Sequence, residues 1–234
     1  MTYEELQQVT VDAQPRVFLQ PLAAPSILGL YGLAGATFMV AAQMVHWFGS
    51  SYTTLLLVPF AAIFGGLAQF LSGMWAYKAR DGVATAVHGM WGAFWIAFGI
   101  LALMLGSGRV PAPGSTLFPA LGYWFIVLAA ITWVCTAAAS AESGSLVTTL
   151  AFLAGGSTLS AIALLVGSDI LLMIAGYLFI ICAIVAWYTA SALMLNEAYG
   201  RQVWPLGLGT RTRRAGTPTI GFGIGEPGVI RGQV

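Results

Sequence analysis

The run TLLLVPFAAIFGGLAQFLSGMWAYK, residues 54–78, decides which fold this chain can adopt. A helix of about 20 apolar residues crosses a hydrocarbon core about 30 Å thick, and this run is long and apolar enough to do so. It nevertheless contains Gly65, Gly66, Gln69 and Gly73. Positions 65, 69 and 73 share one face of an α-helix. Because glycine costs about 1 kcal/mol against alanine in a helix interior, and an unpaired amide is costly in an apolar medium, this face must meet something specific.

Composition extends the membrane interpretation to the whole chain. Hydrophobic residues make up 59% of the 234 residues and charged residues 7%, and the mean hydropathy is +0.86. A soluble domain has about 25% charged residues, so a multi-pass membrane protein in contact with the lipid bilayer is predicted. The net charge of +1 gives no reason to expect a nucleic-acid partner. The first 20 residues contain no apolar run, so no cleavable signal peptide is expected. Cys135 and Cys182 fall within apolar segments and are predicted to be buried thiols.

Six apolar segments are long enough to cross a bilayer as helices. They lie at roughly residues 27–48, 54–75, 84–106, 117–139, 146–167 and 170–194. The break between the last two, GSD, is so short that these helices must form a tight antiparallel hairpin. We predict an all-α membrane protein with six transmembrane helices in one domain, residues 27–207. An N-terminal segment, residues 1–26, precedes this domain, and a flexible tail rich in Gly, Thr, Pro and Arg, residues 208–234, follows it.

The distribution of Lys and Arg predicts the orientation of the chain. If the N-terminus is cytoplasmic, only Arg109 lies outside. The basic residues inside are then Arg16, Lys78, Arg80, Arg201, Arg211, Arg213, Arg214 and Arg231. Because cytoplasmic loops carry the excess of basic residues, both termini are predicted to be cytoplasmic.

The end of the sixth segment, LNEAYGRQVWPLG at residues 195–207, carries the most specific motif. Glu197 and Arg201 are four residues apart, Gly200 can end a helix, and Pro205 prevents its continuation. The string resembles the C-terminal signature of the acetate uptake transporter family, also called the succinate-acetate permeases. That signature is Asn-Glu-x-(Phe/Tyr)-Gly-Arg followed by Pro-(Leu/Ile)-Gly. The matching residues are Asn196, Glu197, Tyr199, Gly200, Arg201, Pro205, Leu206 and Gly207.

Three other stretches resemble the same family, in order and with similar spacing. APSILGL, residues 24–30, is similar to the family's Asn-Pro-Ala-Pro-Leu-Gly-Leu; it keeps Pro25, Leu28, Gly29 and Leu30 and departs at Ala24 and Ile27. Residues 65–73 are similar to Gly-Gly-(Ile/Leu)-Ala-Gln-x-x-x-Gly, and a Tyr-Lys pair follows in both. WGAFW, residues 91–95, is similar to Tyr-Gly-Ser-Phe-Trp. The fourth and fifth segments match only in hydrophobicity.

The resemblance implies a function and an assembly. Family members are six-helix proteins that move acetate and related short carboxylates across the membrane, and they assemble as hexamers with a pore through each protomer. We therefore expect a channel, permease or symport protein of the cell (inner) membrane, with acetate or a related short monocarboxylate as its substrate and succinate as a further candidate. No enzyme activity, cofactor or metal is expected, because no cluster of acids, His and Cys has catalytic spacing. A channel for small neutral solutes such as urea, amides or ammonia, and a structural membrane protein, remain open.

The resemblance also implies a substrate path. Leu33, Gln69 and Trp91 lie about 8 to 10 Å from the cytoplasmic ends of the first three segments, since a helix rises 1.5 Å per residue. Gln69 offers two donors to a carboxyl group, and Gly65, Gly66 and Gly73 allow close approach of a backbone or a solute. Family members place Phe at position 33 and usually Tyr at position 91, where the pore narrows. The residues alone also fit small-xxx-small helix packing, with Gln69 hydrogen-bonded across helices.

Other candidates for the path are histidines and a helix start. No Asp, Glu, Lys or Arg lies within any predicted segment. His88 is one turn before Trp91 and either titrates in the path or packs between helices; His46 is interpreted as an interfacial residue of the aromatic belt. An anion could be received at the start of the first helix, around Pro25 to Gly29, where backbone N–H groups and the helix dipole are positive.

Overall fold

The computed structural model describes residues 23–49, 53–107 and 117–207. The predictions for the N-terminal 22 residues, for Arg109 and for the tail from residue 208 lie outside this part of the chain. The described part is all-helical and contains six helices that are long and apolar enough to cross a membrane, as predicted.

The six spans have the following bounds. The first is Pro25–Met44, the third Gly82–Gly106, the fourth Leu117–Ala139, the fifth Gly144–Val166 and the sixth Asp169–Tyr199. The second comprises an α-helix at Thr53–Ala61, a π-helix at Ala62–Ala68 and an α-helix at Gln69–Lys78. The first span thus begins two residues before the predicted position. The sixth continues to Tyr199 instead of ending near residue 194, because the polar residues after the apolar run stay helical until Gly200 caps the helix.

The π-helix makes the second span irregular, whereas the sequence pattern treated it as one continuous α-helix. Pro59 precedes it and has no backbone N–H to donate within the helix. A π-helix pairs residues five apart and often marks a functional site. Its last residue is followed directly by Gln69, so the wider turns set the direction in which the Gln69 side chain leaves the helix.

The spans form a closed ring. Each packs against the next along the chain, and the sixth packs against the first. The contact between the third and fourth spans is the sparsest in this ring. Since neighbours are antiparallel, the first, third and fifth spans run in one direction. We call the side where the first span begins and the sixth ends the termini side, and the opposite side the far side.

Turn chemistry explains where several helices stop and start. Gly167 has a φ of 71° and ends the fifth span, and Ser168 accepts a hydrogen bond from the Leu171 N–H at 3.4 Å to begin the sixth. This is the tight hairpin that the GSD break predicted. Gly200, with a φ of 64°, ends the sixth span as predicted.

Asp81 fixes the link between the second and third spans. Its side-chain Oδ1 accepts a hydrogen bond from the Ala84 N–H at 2.9 Å and caps the third span. Burial raises the pKa of Asp81, and hydrogen bonds from the backbone N–H groups of Ala84 and Val83 oppose that rise. The capped, buried link holds the termini-side ends of these two spans in a fixed relation.

The outer surface of the ring is apolar, as a membrane protein requires. Large side chains such as Leu56, Phe60 and Val134 are more than 60% exposed. Cys135 and Cys182 are buried free thiols, as predicted.

Candidate functional site

A cavity of about 180 Å³ lies inside the ring in its far-side half. Every span except the second contributes to its lining. On each of those five spans one lining residue is nearest the termini side, and we call this set the floor of the cavity. The floor consists of Thr37, Trp91, Phe125, Ser160 and Phe179, and the walls beyond it are mainly Met44, Phe98, Leu121, Leu164 and Leu172.

Aromatic contacts make one wall of the cavity rigid. The Phe94 ring lies 5.4 Å from the Trp91 ring and 5.5 Å from the Trp95 ring, both edge to face. It also stacks on Phe98 at 6.1 Å and meets Phe125 of the fourth span at 5.6 Å. Such pairs favour defined geometries, so the third span presents a fixed aromatic surface to the interior.

Several buried polar atoms in the described residues have no hydrogen-bond partner. They are Thr37 Oγ1, Gln69 Nε2, Gln69 Oε1, His88 Nδ1, Trp95 Nε1 and Ser160 Oγ. An unsatisfied buried donor or acceptor costs about 1–3 kcal/mol, so each is an unusual feature that needs an explanation. Thr37, Trp95 and Ser160 line the cavity, whereas Gln69 and His88 lie nearer the termini side.

Gln69 is completely buried, and neither atom of its amide is hydrogen-bonded. It lies beside the first span: a Cβ added at Gly32 would be 3.6 Å from the Gln69 Cβ. The cross-helix hydrogen bond that the packing interpretation requires is therefore not formed. The role of Gln69 in a substrate path stays a prediction.

The three glycines of the second span sit at close helix contacts. An added Cβ would lie 2.5 Å from the Ala36 Cβ at Gly65, and 2.9 Å from Ile96 Cγ1 at Gly66. At Gly73 it would lie 2.6 Å from the backbone N of Gly89. These contacts bring the second span against the first and third, so the glycines permit close backbone approach.

His88 packs against the start of the first span. An added Cβ at Gly29 would lie 2.5 Å from the His88 ring, and that ring is buried with Nδ1 unpartnered. One step nearer the membrane surface, the Ser72 hydroxyl donates to the Pro25 carbonyl at 2.6 Å. Gly29 and Gly32 are about one helical turn apart, so His88 and Gln69 occupy successive levels along the first span.

Leu33 and Trp91, the predicted narrow point, belong to one buried core. Leu33 is fully buried, and Trp91 is 2% exposed. Trp91 Nε1 donates to Thr132 Oγ1 of the fourth span at 3.0 Å, and that hydroxyl donates to the Leu128 carbonyl at 2.7 Å. Thr132 is thus a partner of Trp91 on a later span, which the sequence could not place.

Sequence reasoning missed Thr37, Trp95 and Ser160. Hydroxyl residues are common in these spans, and most satisfy themselves locally; Ser157, for example, donates to the Leu153 carbonyl at 2.8 Å. Only tertiary packing shows which hydroxyls lack such a bond. A polar residue in the middle of an apolar span was the available signal, and it does not distinguish Ser160 from Ser157.

The C-terminal signature lies on the termini side, and Asn196 organises it. Its Oδ1 accepts hydrogen bonds from the Val203 N–H at 2.6 Å and the Trp204 N–H at 3.0 Å, while its Nδ2 donates to the Trp204 carbonyl at 2.9 Å. We call residues 201–207 the strap. The Asn of the signature therefore has a structural role, which is to hold the strap against the end of the sixth span.

Further contacts dock the strap onto the fifth and sixth spans. The Tyr188 hydroxyl donates to the Pro205 carbonyl at 2.7 Å, and its ring stacks on Trp204 at 5.4 Å. The Leu206 carbonyl accepts from the Ser145 N–H at 2.9 Å, which satisfies a donor at the start of the fifth span.

The other signature residues are spread over the surface and core. Tyr199 and Arg201 are exposed, and Glu197 and Gly200 are partly buried. In the first span Leu30 is fully buried, whereas Leu28 is 48% exposed and faces outward.

Fold and interior together define a multi-pass membrane protein with a ring of six helices around a cavity and a set of unpartnered polar groups. The chain belongs to the GPR1/FUN34/yaaH family, whose model matches residues 8–203. This confirms the resemblance to the acetate uptake transporter family. The chain is 28% identical over 190 residues to the succinate-acetate/proton symporter SatP of Escherichia coli K12, a match that covers 80% of this chain and 96% of that protein.

Two other comparisons agree. The structure of the bacterial acetate channel SatP superimposes with a TM-score of 0.73 at 26% identity, over 80% of this chain and 99% of the other. Ammonia transport outward protein 2 of Saccharomyces cerevisiae is 27% identical over 177 residues, which is 73% of this chain and 61% of that protein. The chain is thus similar to transport proteins and channels, not to enzymes.

Proposed function

We propose that this protein moves acetate and related short monocarboxylates across the cell (inner) membrane through the interior of its own six-helix ring. The observation that carries the proposal is the set of buried polar atoms on His88, Gln69, Trp95, Thr37 and Ser160 that have no hydrogen-bond partner. They follow one another from the termini side to the cavity. Similarity to a succinate-acetate/proton symporter and to an acetate channel supports acetate as the substrate.

The interior can exchange partners with a moving carboxyl group. Gln69 offers two donors and one acceptor, and Thr37 and Ser160 offer hydroxyls that both donate and accept. Leu33 and Trp91 lie between Gln69 on one side and the hydroxyls of Thr37 and Ser160 on the other. Their apolar side chains raise the barrier for a hydrated ion and admit a small, partly desolvated acid. The predicted reception of an anion at the start of the first span, around Pro25 and Gly29, belongs to the same proposal.

Replacement of Gln69 tests the path. Gln69→Leu removes an amide whose burial is not compensated, so the folded protein should be as stable as wild type or more so, while acetate uptake falls by at least about tenfold, equivalent to about 1.4 kcal/mol. Uptake of labelled acetate into proteoliposomes measures the rate, and thermal unfolding measures stability. Met74→Leu, on the outward face of the same helix, is the matched control. A folded Gln69→Leu protein with wild-type uptake would support the packing interpretation of Gln69.

Orientation and assembly form part of the proposal. We infer that both termini are cytoplasmic, on the evidence of the Lys and Arg distribution. A cysteine introduced at residue 112 should react with an impermeant reagent in intact cells, and one at residue 210 should not; the reverse pattern would invert the topology. Assembly as a homo-oligomer, a hexamer by family resemblance, is compatible with the large apolar outer faces of the ring.

Ammonia is the second candidate substrate. The similarity to ammonia transport outward protein 2 favours it, and so does the lining of the cavity, in which no described residue is charged. Stopped-flow measurement of internal pH after an ammonium pulse, in the same proteoliposomes, separates the candidates. An acetate channel should leave the pH transient close to that of empty liposomes.

A further inference from the structure

We propose that the far-side cavity is a binding site for small, uncharged apolar molecules that dissolve in the bilayer, with benzene as the reference compound, and that a molecule bound there obstructs transport. The binding step stands on the cavity alone. The obstruction rests on the proposed function, because it requires the transported acid to pass through the same space.

The surface of the cavity selects against polar and charged ligands. Only apolar atoms of the described residues form this surface. Thr37, Trp95 and Ser160 belong to the lining, but their unpartnered polar atoms are buried, so these residues present carbon atoms to the interior. A carboxylate would lose its hydration here without gaining a partner, whereas a hydrocarbon has no polar group to desolvate. The lining therefore favours an uncharged apolar ligand.

The volume of the cavity is suited to a single aromatic ring. A cavity of about 150 Å³ lined by Leu, Ile and Phe stays dry and binds benzene or xenon. The cavity here measures about 180 Å³ and has a comparable lining, with Phe98, Leu164 and Leu172 among the wall residues. Atoms that line a void have no contacts on one side, and a ring of this size restores those contacts.

The aromatic wall is already in place for such a ring. Phe94 lies edge to face with Trp91 at 5.4 Å, stacks on Phe98 at 6.1 Å and contacts Phe125 at 5.6 Å. Aromatic rings prefer edge-to-face and offset-stacked arrangements, so a bound ring can join this cluster in the same geometries. Because the wall residues are ordered before the ligand arrives, binding costs little side-chain entropy.

The seam between the third and fourth spans gives an apolar molecule access from the bilayer. The contact between these two spans is the sparsest in the ring, and both spans line the cavity. They are joined near the floor by the hydrogen bond from Trp91 to Thr132 and by the contact between the rings of Phe94 and Phe125. A hydrocarbon that enters through this seam never leaves an apolar medium.

A molecule in the cavity lies against the predicted narrow point. Trp91 belongs both to the floor and, with Leu33, to that narrow point. A ligand that rests on the floor therefore covers the narrow point from the far side. Such a ligand inhibits transport without any chemical likeness to the acid that is transported.

Thermal unfolding and uptake by the full-length purified protein test this inference. Unfolding is followed in detergent with and without benzene, and labelled acetate uptake is followed in proteoliposomes equilibrated with the same benzene concentrations. Leu164→Phe fills the cavity from the fifth span, and Leu172→Phe fills it from the sixth should the first variant fold poorly. Ile162→Phe adds the same bulk on the exposed face of the fifth span and is the matched control, which also reports any effect of benzene on the bilayer. Benzoate, which is ionised at neutral pH, is the charged counterpart of benzene.

We expect benzene to raise the unfolding temperature of the wild type and of Ile162→Phe, since a ligand that binds the folded state stabilises it. Benzene should also inhibit acetate uptake by both proteins, and its affinity should fall by at least about tenfold in either cavity-filling variant. Benzoate should have the same effect on the unfolding temperature of all the proteins, because its charge keeps it out of the cavity.

Two results overturn the binding site: benzene that does not stabilise the wild type, and benzene that stabilises the cavity-filling variants equally. Stabilisation without inhibition overturns the obstruction and leaves the binding site. If the wild type takes up no acetate but benzene stabilises it in a manner sensitive to Leu164→Phe, the proposed function fails and the ligand class of the cavity stands.

Discussion

The two halves of the ring differ in whether the helices surround a cavity. In the far-side half five spans surround a cavity that Phe94 and Phe98 help to line, although Gly176 still packs closely against the end of the first span. In the termini-side half glycines bring the backbones together, as where Gly73 meets Gly89, and a histidine ring fills the space at Gly29. The far-side half has room around its cavity, which Thr37, Trp95 and Ser160 help to line, and the termini-side half has little room and holds the unpartnered polar atoms of Gln69 and His88.

The difference indicates that the two halves discriminate between solutes in different ways. An apolar cavity discriminates by shape, at only about 1–3 kcal/mol for a methylene group more or less. Unpartnered polar atoms in a tight region discriminate by hydrogen bonding, because a solute without the right groups leaves them unpaired. Gln69 and His88 lie in the tight half, so a carboxyl group that passes this half should be recognised there by their hydrogen-bonding groups. Changes to either half should have separable effects.

The largest effect is expected from added bulk in the tight, termini-side half, and it tests whether the two halves differ in packing. Gly73→Ala places a methyl group 2.6 Å from the backbone N of Gly89 and should cost about 1–3 kcal/mol by overpacking, with Gly73→Leu abolishing assembly. Gly89→Ala is the matched control, because a Cβ there meets nothing within 4 Å, and alanine should gain about 0.5–1 kcal/mol in helix propensity. Thermal unfolding in detergent compares the two proteins.

The two alanine variants should change stability in opposite directions. Equal stability would show that the second and third spans can separate at Gly73 without cost. In that case the termini-side half is not closed by backbone contact, and the contrast between the halves fails.

Much of the fold follows from the sequence because spans and helix ends are local properties. The six apolar runs, the hairpin before Asp169 and the end of the sixth span at Gly200 depend on neighbouring residues only. The interior is different. The hydrogen bond of Trp91 joins residues 41 positions apart. Whether the Ser160 hydroxyl finds a hydrogen-bond partner depends on the helices that pack around it. Similarly, the family signature identified Asn196 but not the strap that its amide holds.

A smaller effect is expected from loosening the strap that closes the termini side. Asn196→Ala removes three hydrogen bonds to Val203 and Trp204, at a net cost of about 1–3 kcal/mol because these atoms are only partly buried and water can replace the amide. The Ser145 amide, which donates to the Leu206 carbonyl, should then exchange its hydrogen faster. Hydrogen exchange followed by mass spectrometry reports it directly.

A matched variant isolates the role of Asn196. Tyr188→Phe removes one hydrogen bond, to the Pro205 carbonyl, and keeps the ring that stacks on Trp204, so its effect on Ser145 exchange should be smaller. If Asn196→Ala leaves exchange at Ser145 unchanged, the strap is held by ring stacking and by the Leu206 carbonyl, and the amide of Asn196 is not what keeps the termini side closed.

The smallest effect is expected where the two halves meet, at Trp91. Trp91→Phe keeps an aromatic ring but removes the donor to Thr132 and reduces the bulk at the floor of the cavity. A hydrogen bond between transmembrane helices is worth about 0.6 kcal/mol on average, so stability should change little. Uptake of butyrate relative to acetate should rise by up to about tenfold, since trimming an apolar narrow point relaxes discrimination by size.

Proteoliposome uptake of the two labelled acids gives this ratio, and Thr132→Val is the control that removes the same hydrogen bond without trimming the ring. A changed ratio in both variants would make the hydrogen bond responsible; an unchanged ratio in Trp91→Phe would mean that Trp91 is not at the narrow point and that the tight half alone sets the size limit.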